Sequence, residues 1–297
     1  MTTGVNSSTT LASLQAPHQE PTGPQQTQDV SEAAQAPNPI QNIINAVQCF
    51  AHGTQATIAK EYEQAISFYT TTIRDGAGNF ELMAAVHLRR GVAYDKLNDH
   101  ERAIQDYTRA IEFHPGDPRF LACALLSRAL AFTNQGNRDA AFLDYDRVAS
   151  LNLTDPVLLV GLSLNRGSTY VCLENWAEAI EEYTSAIDMN PPSPIYLAKA
   201  HVLRGLAREK MEEWEQAHAD YARAIEIYPP DGPLLSRAFL CQAYACERQG
   251  ERERAIDSGQ QVDFAVVKED ILPYWEATFD DKIDIVQAIL PDEDPSE

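Results

Sequence analysis

Motifs for chemistry on a bound group are missing from this 297-residue sequence, which has no CxxC, no HExxH, no GxxxxGK phosphate loop, no GxSxG elbow and no GxGxxG opening a helix after a strand. The zinc sites, phosphate cradles and nucleophile elbows that use those spacings are excluded. Long apolar runs are also absent, and the start, MTTGVNSSTT, has neither a charged n-region nor an apolar h-region. A soluble, unexported, cytoplasmic protein is therefore expected. Cations are scarce, with 23 Lys plus Arg against 44 Asp plus Glu and a formal charge of −21. Like charges repel, so nucleic acid and anionic membrane are excluded as main partners, and a basic partner or a local basic patch on the chain itself is left. Cysteine is limited to Cys49, Cys123, Cys172, Cys241 and Cys246, an odd number, each inside an apolar helical pattern. They read as reduced core thiols of a cytosol-like compartment rather than disulfides or metal ligands.

The first 39 residues contain no Lys or Arg and are mostly Thr, Ser, Gln, Pro and Ala, with prolines at Pro17, Pro21, Pro24, Pro37 and Pro39. Such a segment buries too little apolar surface to offset its ordering entropy, and a disordered tail is expected. At the other end, residues 291–297 (PDEDPSE) form a short acidic tail.

Between the tails the chain repeats itself. Ala65, Ala103, Ala141, Ala179, Ala217 and Ala255 fall 38 residues apart without insertion or deletion, which defines six units at about 42–79, 80–117, 118–155, 156–193, 194–231 and 232–269. Twelve residues before each alanine stands a small residue (Gly53, Gly91, Ala129, Gly167, Gly205, Ala243), and four after it stands Tyr69, Tyr107, Tyr145, Tyr183 or Tyr221, replaced by Gly259 in the last unit. Within a unit the apolar residues follow a helical period twice, broken at Asn98-Asp99, Gln135-Gly136-Asn137 and Glu174-Asn175. Each unit thus reads as two helices and a tight turn. Asp117-Pro118, Asp155-Pro156 and Ser193-Pro194 place a capping side chain before a proline at the start of the first helix, with Asn79 and Asp231-Gly232-Pro233 at the equivalent sites. Pro115, Pro191 and Pro229 stop the second. Small residues let the paired helices approach, and the aromatic fills the adjoining space.

Gly91, Tyr94, Ala103, Tyr107, Ala110 and Pro115 of the second unit resemble, in register, the tetratricopeptide repeat family, and the resemblance extends over about residues 42–269. It implies an all-α, right-handed solenoid of six helix-turn-helix repeats. The family's usual period of about 34 is exceeded by some four residues per unit, placed as an added apolar turn at the start of each first helix: Leu82-Met83, Phe120-Leu121, Leu158-Leu159, Tyr196-Leu197 and Leu234-Leu235. In unit six the second helix, read as Asp257 to Asp263, becomes polar. Behind Pro273, Trp275, Phe279, Ile283, Val286 and Leu290 step at helical intervals, so residues 270–290 are expected to cap the open end.

Because the units are copies, their positions can be compared. Arg90, Arg128, Arg166 and Arg204 directly precede the small residue where Asp106, Asp144, Glu182 and Asp220 directly precede the aromatic, while the end units have His52 with Phe68 and Gln242 with Ser258. The two sites change together, which predicts four Arg–carboxylate pairs within units and none between them. The seven histidines are dispersed, and His87 and His201 lie on first helices three units apart, so helix packing or surface positions are expected. No metal and no cofactor is implied.

The family resemblance implies a non-catalytic protein-interaction scaffold or adaptor whose first helices line a concave groove. A regulatory subunit or assembly chaperone for one partner is the alternative, with an enzyme third. The family's clamp for a C-terminal carboxylate is not matched: Asn165 and Lys199 hold two of its places, but Leu126, Leu130 and Leu203 stand at others. The candidate groove residues are apolar at the sites three before and one after the small residue: Leu88, Val92, Leu126, Leu130, Leu164, Val202, Leu206, Leu240 and Tyr244. Cations gather at the sites six before and five after it, as Lys199, Lys210, Arg237 and Arg248, with Lys96 alone in the earlier units and Glu209, Glu212, Glu213 and Glu247 nearby as neutralisers. An apolar floor leading to a cationic end suits a protein or peptide with an acidic amphipathic segment.

Overall fold

The computed structural model describes residues 39–76, 78–113, 116–227, 233–267 and 273–290. The expectations of a disordered N-terminal tail and an acidic C-terminal tail, with Pro115, Pro229, Asp231 and Gly232, lie outside them. Thirteen helices follow one another among the described residues: α1 (Pro39–Ile58), α2 (Tyr62–Asp75), α3 (Phe80–Lys96), α4 (His100–Glu112), α5 (Pro118–Gln135), α6 (Arg138–Ser150), α7 (Pro156–Val171), α8 (Trp176–Asp188), α9 (Pro194–Lys210), α10 (Trp214–Ile227), α11 (Pro233–Arg248), α12 (Arg252–Gly259) and α13 (Pro273–Ile289). They pack as consecutive pairs, α1 with α2 through α11 with α12, and each second helix packs on the first helix of the next pair. Each first helix also meets the next first helix, as α5 does α7, and no such contact of comparable extent joins successive second helices among the described residues. First helices therefore form the inner side of the stack and second helices the outer side.

Local sequence explains the helix starts. The side chains of Asn79, Asp117 and Asp155 accept hydrogen bonds from the first-turn amides of Leu82, Arg119 and Val157, each satisfying one orphan donor. Ser193 departs from expectation: its backbone is extended as a cap requires, but its side chain makes no capping hydrogen bond, so Pro194 alone sets the start of α9. The added turn is present, for α3, α5, α7 and α9 all begin eleven residues before their small residue. Unit six is shorter than expected: α12 ends at Gly259, and Asp263 lies beyond it.

Every hairpin turn holds one residue in the left-handed region at the same 38-residue spacing: Lys60, Asn98, Gly136, Glu174, Glu212 and Gly250, with φ of 61°, 59°, 89°, 57°, 60° and 78°. Only two are glycine. A side chain there crowds the following carbonyl, at a cost of about 1–2 kcal/mol, partly recovered on folding because a non-glycine chain loses less backbone entropy. Glu174→Gly and Glu212→Gly are each expected to raise the thermal melt by about 1–4 °C. A lower melt for either would contradict this account of the turn.

Packing within the pairs is set by the glycine and the tyrosine. A Cβ built on Gly53, Gly91, Gly167 or Gly205 would lie 2.6, 2.6, 2.5 and 2.5 Å from Cε1 of Tyr69, Tyr107, Tyr183 and Tyr221, whose rings are fully buried. Where the last unit has Gly259 in place of tyrosine, Val286 of α13 and Leu290 just beyond it fill the gap, each 3.0 Å from the position a Cβ would take. The tyrosine hydroxyls end on polar side chains of the first helices: Thr57, Asp95, Thr169, Ser168 and Glu209 for Tyr69, Tyr107, Tyr145, Tyr183 and Tyr221. Burial raises the Tyr107, Tyr145, Tyr183 and Tyr221 phenols above their ordinary range, with Tyr145 pushed up to about 12, so these four act as neutral hydrogen-bonding groups.

The four expected ion pairs form, with closest approaches of 2.7 Å (Arg90–Asp106), 2.7 Å (Arg128–Asp144), 3.3 Å (Arg166–Glu182) and 2.7 Å (Arg204–Asp220). In the end units the same two sites also touch: Ser258 Oγ donates to Gln242 Oε1 at 2.9 Å, and the His52 and Phe68 rings lie 5.5 Å apart. One link was not foreseen. Arg90, Arg128 and Arg204 each donate from Nη1 to a threonine of the preceding unit, Thr70, Thr108 and Thr184, at 3.0, 3.0 and 3.1 Å. For Arg166 of unit four the place of that threonine, in unit three, is held by Asp146. Each complete pair therefore joins two helices of one unit and ties them to the unit before. His87 and His201 are buried and bond to Asp106 and Asp220 at 2.7 and 2.9 Å, a packing role as expected.

Candidate functional site

Rows at a fixed offset from the small residue run along the inner side, because the repeat keeps register. The row three before it, offered by the sequence as the groove floor, is largely occupied by packing: Leu126, Leu164, Val202 and Leu240 are buried, as is Leu206 one residue after its small residue. Leu88, Val92, Leu130 and Tyr244 are half-buried. Side chains at these offsets are consumed where first helices meet one another and the second helices, so they form the core beneath the surface rather than an open floor.

The accessible row lies six before the small residue: Val47, Ala85, Cys123, Gly161, Lys199 and Arg237. Val47, Cys123 and Lys199 are exposed, and the other three are half-buried. Cys123 is therefore a surface thiol and not the core residue its apolar surroundings in the sequence suggested. By contrast Cys241 and Cys246 are buried, which pushes their thiols up to about 12 and about 11, so neither is a thiolate near neutral pH. The middle of the row is narrow, with three small residues, and its two ends differ in chemistry. At the first end Val47 continues a stripe of Ile40, Ile43 and Ile44 along α1, which are 53, 68, 48 and 44 % exposed in that order. At the other end stand the cations.

Lys199 and Arg237 occupy the same level of adjacent first helices, α9 and α11. Lys199 is exposed, and desolvation by its neighbours, followed by the charges of Arg237 and Lys96, lowers its pKa. Lys96 comes from three units earlier. Arg237 is half-buried, and its Nε donates to the Val267 carbonyl at 2.7 Å. Lys210 is exposed, and Arg248 lies over the Trp214 ring at 5.4 Å. Glu209 is not the solvated neutraliser expected from sequence: it is buried, accepts from the Tyr221 hydroxyl at 2.6 Å and pairs with Lys282 of α13.

Lys282 is the residue that sequence reasoning missed. It stands four before Val286, on the face of α13 that packs, and is 2 % exposed with its Nζ 3.7 Å from the centroid of the Tyr244 ring. Tyr244, offered by the sequence as a partner contact, is therefore engaged by the chain's own last helix. Side chains at the start of α13, including Trp275 and Phe279, lie outside the described residues. No helix among the described residues is long and apolar enough to cross a membrane, and no group of three or more His, Cys, Asp or Glu among them could hold a metal ion.

Comparison with known proteins bears on this architecture. Models of the tetratricopeptide repeat match residues 84–117 and 164–231. No curated protein matches the chain at a significant level. Among solved structures, a tetratricopeptide repeat protein from Parabacteroides merdae is similar over 82% of this chain and 85% of its own, at 18% identity and a TM-score of 0.59. The apo form of the quorum sensor NprR from B. thuringiensis is similar over 84% of this chain and 69% of its own, at 16% identity and a TM-score of 0.64. PilF of Pseudomonas aeruginosa aligns over 81% of this chain and 99% of its own, at 15% identity and a TM-score of 0.56. Identities of this order speak to the fold alone. Taken with the in-register glycine–tyrosine and arginine–carboxylate positions of successive helix pairs, the matches identify residues 84–117 and 164–231 of this all-α solenoid as tetratricopeptide repeats.

Proposed function

We propose that the chain is a non-catalytic scaffold or adaptor that binds an acidic, amphipathic segment of a partner protein along the inner side. The observation that carries this reading is the placing of Lys199 and Arg237 at one level of the adjacent first helices α9 and α11, in a chain of charge −21. Cations held close together raise each other's energy, and an anionic segment relieves that repulsion. The exposed stripe of Ile40, Ile43, Ile44 and Val47 on α1 supplies the apolar half of the surface at the opposite end. The small side chains of Ala85, Cys123 and Gly161 leave room between the two ends for a backbone to pass.

Reversal of Lys96 and Lys199 to glutamate tests the reading, since both are exposed. Arg237 is left intact because its Nε holds the Val267 carbonyl. Binding of a labelled helical peptide of alternating Glu and Leu faces is expected to weaken by about ten- to a hundredfold at low ionic strength. The melt should remain within about a degree of the parent, as for surface substitutions generally. Unchanged affinity in the double variant at low salt would remove the cations from recognition.

A further inference from the structure

We propose that two copies of the chain pair through α1, each covering the exposed apolar stripe of the other. This goes beyond the reading of the inner side as a partner surface and shares Ile40, Ile43, Ile44 and Val47 with it, so a second copy and a partner segment exclude each other there. The first support is the pattern along the helix. Ile40, Ile44, Val47, Ala51, Thr54 and Ile58 step by alternate fours and threes through all 20 residues of α1, which is the spacing of a seam that packs on another helix. All but Thr54 are exposed, Ile58 by 79 %. The Thr54 hydroxyl donates to the Phe50 carbonyl at 3.0 Å and asks for no further partner.

Charge selects the occupant. Alone of the thirteen helices among the described residues, α1 contains no Asp, Glu, Lys or Arg, in a chain that is 23% charged and carries −21. Exposed Gln41, Gln48 and Gln55 flank the seam at seven-residue intervals. Charged side chains at such flanking positions ordinarily choose the partner. Three amides favour neither an acidic nor a basic one, but they match a second set of themselves, because an amide both donates and accepts. Two chains of the same negative charge can meet on this face without setting like charges against each other. The two ends of the stack also exclude growth by further stacking. Five before and two after the small residue, α3 has Val86 and Ala93, buried in one cluster with Ala65 and Tyr69 of the preceding unit. Unit one has Gln48 and Gln55 at those sites, and burying their amides against another repeat is costly. At the far end Val286 and Leu290 fill the space beside Gly259. Head-to-tail addition is thus opposed at both ends, which leaves an isologous pair, the same patch meeting itself. Covering one face of a helix about 30 Å long removes roughly 500 Å² of accessible surface from each copy, so the pair stands near the lower limit of about 1,000 Å² for a specific interface. Its dissociation is therefore expected in the micromolar range.

Sedimentation equilibrium of the full chain, 33.0 kDa as a monomer, tests the pairing over about 1–100 μM. A monomer–dimer equilibrium is expected. It should tighten by about three- to tenfold between about 0.05 and 0.5 M salt, as screening removes the repulsion between two acidic chains. The double variant Ile44→Glu, Val47→Glu should weaken pairing by about a hundredfold, with a melt close to that of the parent because both sites are exposed. Ile58→Glu, at the other end of the seam and its most exposed residue, should weaken it by about tenfold and decides the matter even if the double variant fails to fold. A parent that stays monomeric at about 100 μM, as when another stretch of the same chain lies on the seam, would overturn the pairing. So would a dimer equally tight in Ile58→Glu, association that weakens as salt rises, or species that grow past the dimer. No partner peptide enters this measurement, so its failure leaves the partner surface standing. The Glu-Leu titration reads Lys96 and Lys199, which lie off α1, and a result there that ignores them leaves the pairing standing.

Discussion

Replacing Lys282 with methionine is expected to destabilise the last two units by about 3–5 kcal/mol, because it strands the Glu209 carboxylate in the interior without its cation. The pair is almost fully removed from water, with Lys282 2 % and Glu209 6 % exposed. Its members come from α13 and α9, so it bridges 73 residues of sequence. The Tyr221 hydroxyl at 2.6 Å satisfies the other carboxylate oxygen, and the Tyr244 ring covers the ammonium. A buried pair of this kind adds little net stability compared with apolar side chains of the same size, yet removing one partner leaves a charge unpaired. Combining Lys282→Met with Glu209→Gln should therefore recover a large part of the loss. Repeat proteins unfold unit by unit, so hydrogen exchange resolved along the chain is the suitable measurement. Protection over α11–α13 equal to that of the parent in the single variant would refute the account.

Asp220→Ala is expected to cost a similar amount, about 3–5 kcal/mol, and more than Asp144→Ala. Asp220 is 2 % exposed and accepts from His201, Arg204 and Arg208, at 2.9, 2.7 and 2.7 Å. Asp144 is held by Arg128 from Nε and Nη2 at 2.8 and 2.7 Å. Loss of Asp220 thus leaves two guanidinium groups and an imidazole facing one another at the centre of unit five. If Asp220→Ala and Arg204→Ala proved additive in a double-mutant cycle, the pairing would have to be abandoned. The same carboxylates govern acid stability. Burial alone would raise the Asp220 and Asp106 pKa values, but hydrogen bonds from His201 and Arg204 to the one, and from Arg90 and His87 to the other, outweigh it and hold both below 3.8. A depressed carboxyl contributes stability that is complete above its unfolded value and is lost as pH falls through the folded one. The contribution of these two residues should therefore hold from neutrality down to about pH 4 and disappear below it. Asp220→Ala should flatten that acid limb in a pH series of denaturation midpoints. An unchanged slope would show that the carboxylate does not carry the charge assigned to it.

Much of the fold was legible because a repeat supplies its own comparison set. The 38-residue period of alanine, glycine and tyrosine fixes helix pairs in register, since a glycine that admits a tyrosine ring at 2.5–2.6 Å in one unit requires the same in the next. Joint loss of arginine and carboxylate in the end units identified the pairs before any distance was known. The left-handed residues of the turns carried the same period, but Lys60, Glu174 and Glu212 hide it, since only glycine and asparagine announce that conformation.

The accessible surface was harder to read. Offsets of three before and one after the small residue looked like a groove floor because they are apolar, yet apolarity is the mark of packed positions, and Leu126, Leu164, Val202, Leu206 and Leu240 are packed. The row six before the small residue faces solvent, and Val47, Cys123 and Gly161 gave it no uniform chemistry by which to be recognised. By itself the sequence determined the helix pairs, their register and the ion pairs within units, because those depend on spacings repeated in the chain. Only the tertiary structure decided which charges meet between distant units. Lys282 reaches Glu209 from the last helix, across 73 residues of sequence. Such meetings depend on the curvature of the stack and the path of the closing helix, which accumulate from small rotations at every helix contact and leave no local period in the sequence.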